Sequence, residues 1–333
     1  MTETSVLVMS ADEGYAMQLA VAIRSLLDHM GSDEKLELYV IDGGLTAESK
    51  MKCEASWNGP LNELRWIQPP KKKFSRMKAS DHYSIATYYR LILSDLLPDK
   101  LNRVVYSDPD VLFFKSLASI FSLDLHEKIL AAVQDPYCPY IDSRIGLANF
   151  KEVREHVFGL AAVPPCQGNP VNPNQPYFNA GFFLADLEIY RRDGVGAKLL
   201  KYCVDHRDEL LWADQCALNA CLGDRWQPLD ASWNVIPHVF ETPDQYLAIY
   251  DQSTLDRIRT SPAMVHFAGP RKPWSMNSSH PFTQAYLNAI DRTSWNGWRP
   301  TETVDPLRID STPPQSVWKF YRNWLPHRSM KAA

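Results

Sequence analysis

A chain of 333 residues with 45% hydrophobic side chains holds ample apolar material for one large α/β domain with additions, or for two domains. Its 35 basic and 39 acidic residues leave it close to neutral, which speaks against a general nucleic-acid binder. Nothing in it approaches the ~18 consecutive apolar residues of a membrane-spanning helix.

The opening "MTETSVLVMSADEG" carries neither a basic leader nor a long apolar stretch, so no secretion signal is expected. Within it "SVLVMS" reads as a short buried strand ending at Ala11-Asp12. Met17, Leu19, Ala20, Ile23, Leu26 and Leu27 then recur at helical spacing. "LELYVID" alternates as a strand, "LTAESKMKCEAS" is helix-like, and "LNELRWIQ" is strand-like again. "SIATYYRLILSDLL" predicts a helix leading into the strand "RVVYSD". "KILAAVQD" and "YFNAGFFLADL" read as further buried strands, with helical patterns near 188–206 and 212–222. Strands alternating with helices predict βαβ units and a mainly parallel sheet, which binds ligands at the carboxyl ends of its strands. Asp12 and the later pair Asp108 and Asp110 both fall at such ends and are expected to face one crevice.

Five prolines in residues 164–176 remove backbone donors and predict a loop, either a binding lid or a plain surface connection. The six cysteines form no C-x-x-C pair and no zinc spacing, so they read as reduced thiols of a cytoplasmic protein. From residue 311 onward there is no acidic residue. Val317, Phe320, Tyr321 and Trp324 could share one helix face beside Lys319, Arg322 and Arg328. Such a tail suits an anionic membrane surface, which would make the protein peripheral at the inner membrane face. The alternative is a tail helix packed on the body.

The chemistry centres on "VVYSDPDVLFF". Two aspartates one residue apart, between apolar runs, need either solvent or a cation. Residues i and i+2 of an extended chain point to the same side, and Pro109 stiffens the turn between them. Both carboxylates can therefore converge on a divalent ion. Phosphatases with an aspartate nucleophile also carry D-x-D, but near the N-terminus and with Thr or Val four residues on, where this chain has Leu112. In "AMVHFAGPRKPW" His266 is the one titratable side chain of a strand-like run, followed by Arg271 and Lys272. Two carboxylates and an imidazole suit Mn²⁺, with Mg²⁺ the other candidate, and Lys272 could meet a phosphate as a point charge.

"SADEGYA", "SIATYYRL", "VVYSDPDVLF", "YFNAGFFLADL", "ADQCALN" and "HFAGPRKPW" occur in the order and spacing of glycosyltransferase family 8, and over about residues 5–275 the chain resembles its bacterial lipooligosaccharide galactosyltransferase branch. The resemblance implies a GT-A fold, a mainly parallel mixed sheet flanked by helices. It places the catalytic domain at 1–300, with a nucleotide-binding part to about 115, an acceptor part from about 116, and a basic, aromatic tail over 301–333. It implies a retaining transfer of galactose or glucose from a UDP-sugar to a saccharide or lipid-linked glycan. The metal ligands would be Asp108, Asp110 and His266. Asp12 and Tyr15 would hold the uracil and ribose, Arg90 would approach the diphosphate or the sugar, Lys272 would bind the diphosphate, and Asn179 and Asp214 the sugar hydroxyls. Gln215 would lie beneath the anomeric carbon, and His82 and Asp135 would meet the acceptor. Gly14 departs from the family's usual Asn. Gln215 is a poor nucleophile, so attack on the face from which the leaving group departs is expected, with Asp214 as the fallback nucleophile. The class-level rival is a nucleotide-sugar-binding scaffold or priming protein without transfer to a separate acceptor.

Overall fold

Alternation along the first strand sets the layering. In β1 (Thr4–Ala11), Val6 and Val8 face one side of the sheet and Leu7 and Met9 the other, and all four are buried. A strand buried on both faces needs a cover on each. The computed structural model describes residues 4–77, 84–158, 164, 166, 172–247, 249–276 and 278–301. His82 and the tail beyond 301, with its expected membrane contact, lie outside them.

Seven strands form the central sheet in the order β3-β2-β1-β4-β7-β6-β8. They are β1, β2 (Lys35–Asp42), β3 (Leu61–Ile67), β4 (Arg103–Ser107), β6 (Leu130–Gln134), β7 (Phe178–Asp186) and β8 (Trp226–Pro228). The remaining pair, β5 (Val111–Phe113) and β9 (Met264–His266), makes a separate two-stranded ribbon. All neighbours in the large sheet are parallel except around β7, which runs antiparallel to both β4 and β6. The fold is therefore the mixed, mainly parallel α/β sheet expected, with one strand reversed.

On the Leu7–Met9 side lie α1 (Ala16–Leu27) and α2 (Ala47–Ser56), the latter capped by Thr46, whose side chain accepts the Ser49 N–H. The opposite side is covered by residues 85–97 and by the helices Leu187–Arg192, Val195–Asp205 and Ala213–Leu222. Two predicted helices differ in detail. "SIATYYRLILSDLL" runs as a 3₁₀ helix over Ile85–Ile92 and makes one α turn at Leu93–Leu96. Thr87, Tyr88 and Tyr89 are weak α formers, and Arg90 ties the segment to Asp108 and Ala180. The pattern over 188–206 breaks at Gly194, whose φ of +59° is the left-handed conformation glycine adopts without strain. No helix among the described residues is long and apolar enough to cross a membrane.

Leu184, fully buried at the centre of β7, reports on this core. Leu184→Ala should cost about 2–5 kcal/mol, read as a lower urea midpoint at unchanged slope.

Candidate active site

Four chain segments converge at one end of the sheet. β1 and β4 are parallel neighbours, with Met9 opposite Ser107, so Asp12 and Asp108 leave the sheet side by side. β6 ends there at Asp135. Because β7 is reversed, its beginning, Asn179 to Gly181, lies at the same end: Asp108 N–H donates to Gly181 O at 2.8 Å and Asp135 N–H to Tyr177 O at 2.9 Å. The expected common crevice exists.

The ribbon brings the distant imidazole to the acid pair. β5 and β9 pair with Val111 opposite His266, and Phe267 N–H donates to Asp110 O at 2.9 Å. His266 Nε2 then lies 3.3 Å from Asp110 Oδ1 and 4.0 Å from Asp108 Oδ2. One ligand atom from each of the three residues falls within 4.8 Å of the others. Two carboxylates and an imidazole with a free nitrogen fit a borderline-hard divalent cation. Gly181 supports this fit. A Cβ there would run into the His266 ring, so the imidazole sits against backbone in a cradle that only glycine leaves open.

Each acid also has a cation of its own. Lys272 Nζ lies 2.6 Å from Asp110 Oδ2 and donates to Phe267 O at 2.7 Å. Burial alone would raise the Asp110 pKa, but the Lys272 ammonium and His266 outweigh it and hold this carboxyl far below the usual range. Asp108 goes the other way. Burial lifts its pKa, and Asp110 adds to the rise, against the opposing charge of Arg90.

Arg90 is buried and donates four hydrogen bonds within the protein. Nε donates to Thr87 O, one terminal nitrogen to Asp108 Oδ2 and Ala180 O, and the other to Thr87 Oγ1, while lying 3.0 Å from Asp108 Oδ1 as an ion pair. Its Nε also lies 2.9 Å from Asp214 Oδ2, an ion pair without hydrogen-bond alignment. In this structure Arg90 is therefore paired with two site carboxylates, Asp108 and Asp214.

Asp214 and Gln215 open the helix Ala213–Leu222. Asn219 of that helix clamps both backbone groups of Phe178, which locks the helix to the start of β7. Asp214 is 3% exposed, and burial pushes its pKa up to about 7 even with Arg90 beside it. Gln215 is held at both ends of its amide: Oε1 accepts Ala180 N–H at 2.9 Å, and Nε2 donates to Asp135 Oδ2 at 3.3 Å. Asp135 also accepts from Asn179 Nδ2 and from the backbone N–H groups of Tyr137 and Cys138. At the other side of the crevice Tyr15 packs edge-on against Trp274, with ring centroids 6.2 Å apart, and feels the charge of Lys272. At Gly14 an added Cβ would meet only Asp12 Oδ1, at 3.4 Å, so no crowding accounts for the missing side chain.

Of the predicted residues, Asp108, Asp110, His266, Lys272, Arg90, Asp214, Gln215, Asn179 and Asp135 form one connected set, with Asp12 and Tyr15 at its edge. Two residues escaped the sequence reading. Gly181 left a signal, since a glycine inside an apolar strand marks a close approach. Asn234, whose Oδ1 lies 2.9 Å from His266 Nδ1, left none.

A mixed sheet with an acid pair at a strand end and an imidazole paired back onto it is the architecture of a GT-A nucleotide-sugar transferase. The chain belongs to glycosyl transferase family 8, whose sequence profile matches residues 6–278, and it is a glycosyltransferase. It is 29% identical over 296 residues to General stress protein A of Bacillus subtilis, covering 87% of this chain and 94% of that one. It is 22% identical over 290 residues to the lipopolysaccharide 1,3-galactosyltransferase of Salmonella typhimurium, covering 86% and 77%. Among solved structures it superposes on the galactosyltransferase LgtC in complex with donor and acceptor sugar analogs. The TM-score there is 0.69 at 24% identity, over 86% of this chain and 96% of that one.

Two substitutions test the geometry. Gly181→Ala should destabilise by about 1–3 kcal/mol, the cost of overpacking against a ring that cannot yield, measured by thermal denaturation. Ala213, immediately before Asp214, holds a φ of +41°, so Ala213→Gly should relieve strain and raise stability by about 0.5–1 kcal/mol in the same assay.

Proposed function

We propose that this protein is a divalent-metal-dependent, retaining hexosyltransferase. It moves galactose or glucose from a UDP-sugar to a hydroxyl of a saccharide or lipid-linked glycan. The observation that carries the reading is His266 Nε2 at 3.3 Å from Asp110, on strands joined only by long-range pairing. Asp108, Asp110 and His266 would hold the ion, Mn²⁺ in the first instance. When bound, it supplies positive charge against the diphosphate that leaves, the kind of electrostatic term that dominates such reactions.

The chain's own groups do the rest. Lys272 adds a second positive charge from the same side, while Arg90 keeps Asp108 from turning away. Asp12 and Tyr15 take the nucleotide at the outer edge. Asn179 and Gln215, both hydrogen-bonded to Asp135, form a rigid floor for the hexose, and the acceptor role that the resemblance gives to Asp135 and His82 is part of this reading. Asp214 is a poor candidate for double displacement. It is buried and its carboxylate lies against the Arg90 guanidinium, an ion pair that weakens it as a nucleophile. Gln215 has no nucleophilic oxygen to spare. Attack from the face of departure, with a leaving phosphate oxygen taking the hydroxyl proton, fits this floor best.

UDP release from UDP-galactose and UDP-glucose, with Mn²⁺ and then with chelator, tests the reading. Release should require the ion and fall at least 100-fold in Asp108→Asn and Asp110→Asn. Tight donor binding without release would support the scaffold alternative. The product anomer, read by NMR, should match the donor's. A covalent glycosyl adduct recovered on Asp214 would overturn same-face attack.

A further inference from the structure

His266 has a second ring nitrogen, and a buried chain of amides dictates what that nitrogen carries. The chain starts from groups whose hydrogen-bonding sense is unambiguous. The backbone N–H of Gly181 donates to Asn179 Oδ1 at 3.0 Å, and the Asp135 carboxylate accepts from Asn179 Nδ2 at 2.9 Å. The Asn179 amide therefore cannot be turned over. Asn234 must present its own NH₂ to Asn179 Oδ1, at 3.0 Å, which leaves Asn234 Oδ1 against His266 Nδ1 at 2.9 Å. An acceptor there demands a donor, so Nδ1 carries the proton. Backbone holds Asn234 in place. The next residue donates its N–H to Met264 O at 3.1 Å and accepts from His266 N–H at 3.0 Å, so Asn234 moves with β9.

With the proton on Nδ1, the lone pair of a neutral imidazole lies on Nε2, which faces Asp110 Oδ1 and Asp108 Oδ2. Two acceptors at that range repel unless a proton or a metal cation sits between them. We propose that Asn234, 2% exposed, is a positioning residue that locks His266 in its Nδ1–H form so that Nε2 is offered to the divalent ion. This rests on the metal reading above. Metal-bound histidines commonly give their other N–H to a carboxylate or carbonyl. Here an uncharged amide does it, adding no third negative charge beside the two aspartates.

Mn²⁺ titration of the metal-free full chain by calorimetry tests this. Asn234→Ala removes the acceptor and should weaken Mn²⁺ binding about 10- to 100-fold. Asn234→Asp restores an acceptor of the same shape and should bind Mn²⁺ at least as tightly as wild type, although its link to Asn179 is lost. Equal loss in both variants would mark Asn234 as mere packing, and no loss in Asn234→Ala would also overturn the proposal. A second measurement does not depend on the ion. In histidine-¹⁵N-labelled metal-free protein, the His266 signals, identified by their loss in His266→Gln, should show a protonated Nδ1. A bare Nδ1 would overturn the proposal outright. Wild type that takes up no Mn²⁺ would sink the metal reading, and the Nδ1 signal would then decide the role of Asn234 by itself.

Discussion

Two carboxylates held under the surface one residue apart repel each other, and the site is arranged around that repulsion. Arg90 answers Asp108, Lys272 answers Asp110, and His266 closes the side between them. None of the three is near the acid pair in sequence. Lys272 and His266 arrive together because β9 pairs with β5, and that ribbon is itself buried. Leu112, Val265 and Phe267 pack with Met17 and Val21 of α1 and with the helix Thr283–Ile290. Apolar packing on one side of the ribbon thus fixes charge geometry on the other.

The reversed strand does the complementary work. A parallel β7 would have put its first residues at the far end of the sheet. Running backwards, it delivers Asn179, Ala180 and Gly181 to the crevice, where they meet Asp135, Gln215, Arg90 and His266. The Asn219 clamp then ties the helix bearing Asp214 and Gln215 to the same strand. The Asp108–Asp110–His266 cluster and the Asn179–Gln215–Asp135 network are one connected body, the kind of rigidity that positioning two reactants requires.

Much of this was legible beforehand. Strand positions followed from alternation, and the acid pair was marked by like charges between apolar runs. His266 stood out as the lone titratable group of its run. The helix read over 84–97 is present, but its 3₁₀ winding over Ile85–Ile92 is not something apolar periodicity contains. An arginine in a sequence offers five donors, and only the fold shows that Thr87, Asp108 and Ala180 accept from this one. Asn234 was invisible because a single asparagine after a tryptophan has no pattern to betray it.

Local rules, side-chain period, turn chemistry and the cost of unpaired charge, were enough for the sequence by itself to determine the α/β class, the strands and most of the charged groups of the site. The reversal of β7, the pairing of β5 with β9 and the sense of the buried amides were decided only in the tertiary structure. Each is a relation between segments far apart in the chain, set by which backbone donors meet which acceptors once the core has closed, and no local pattern encodes that.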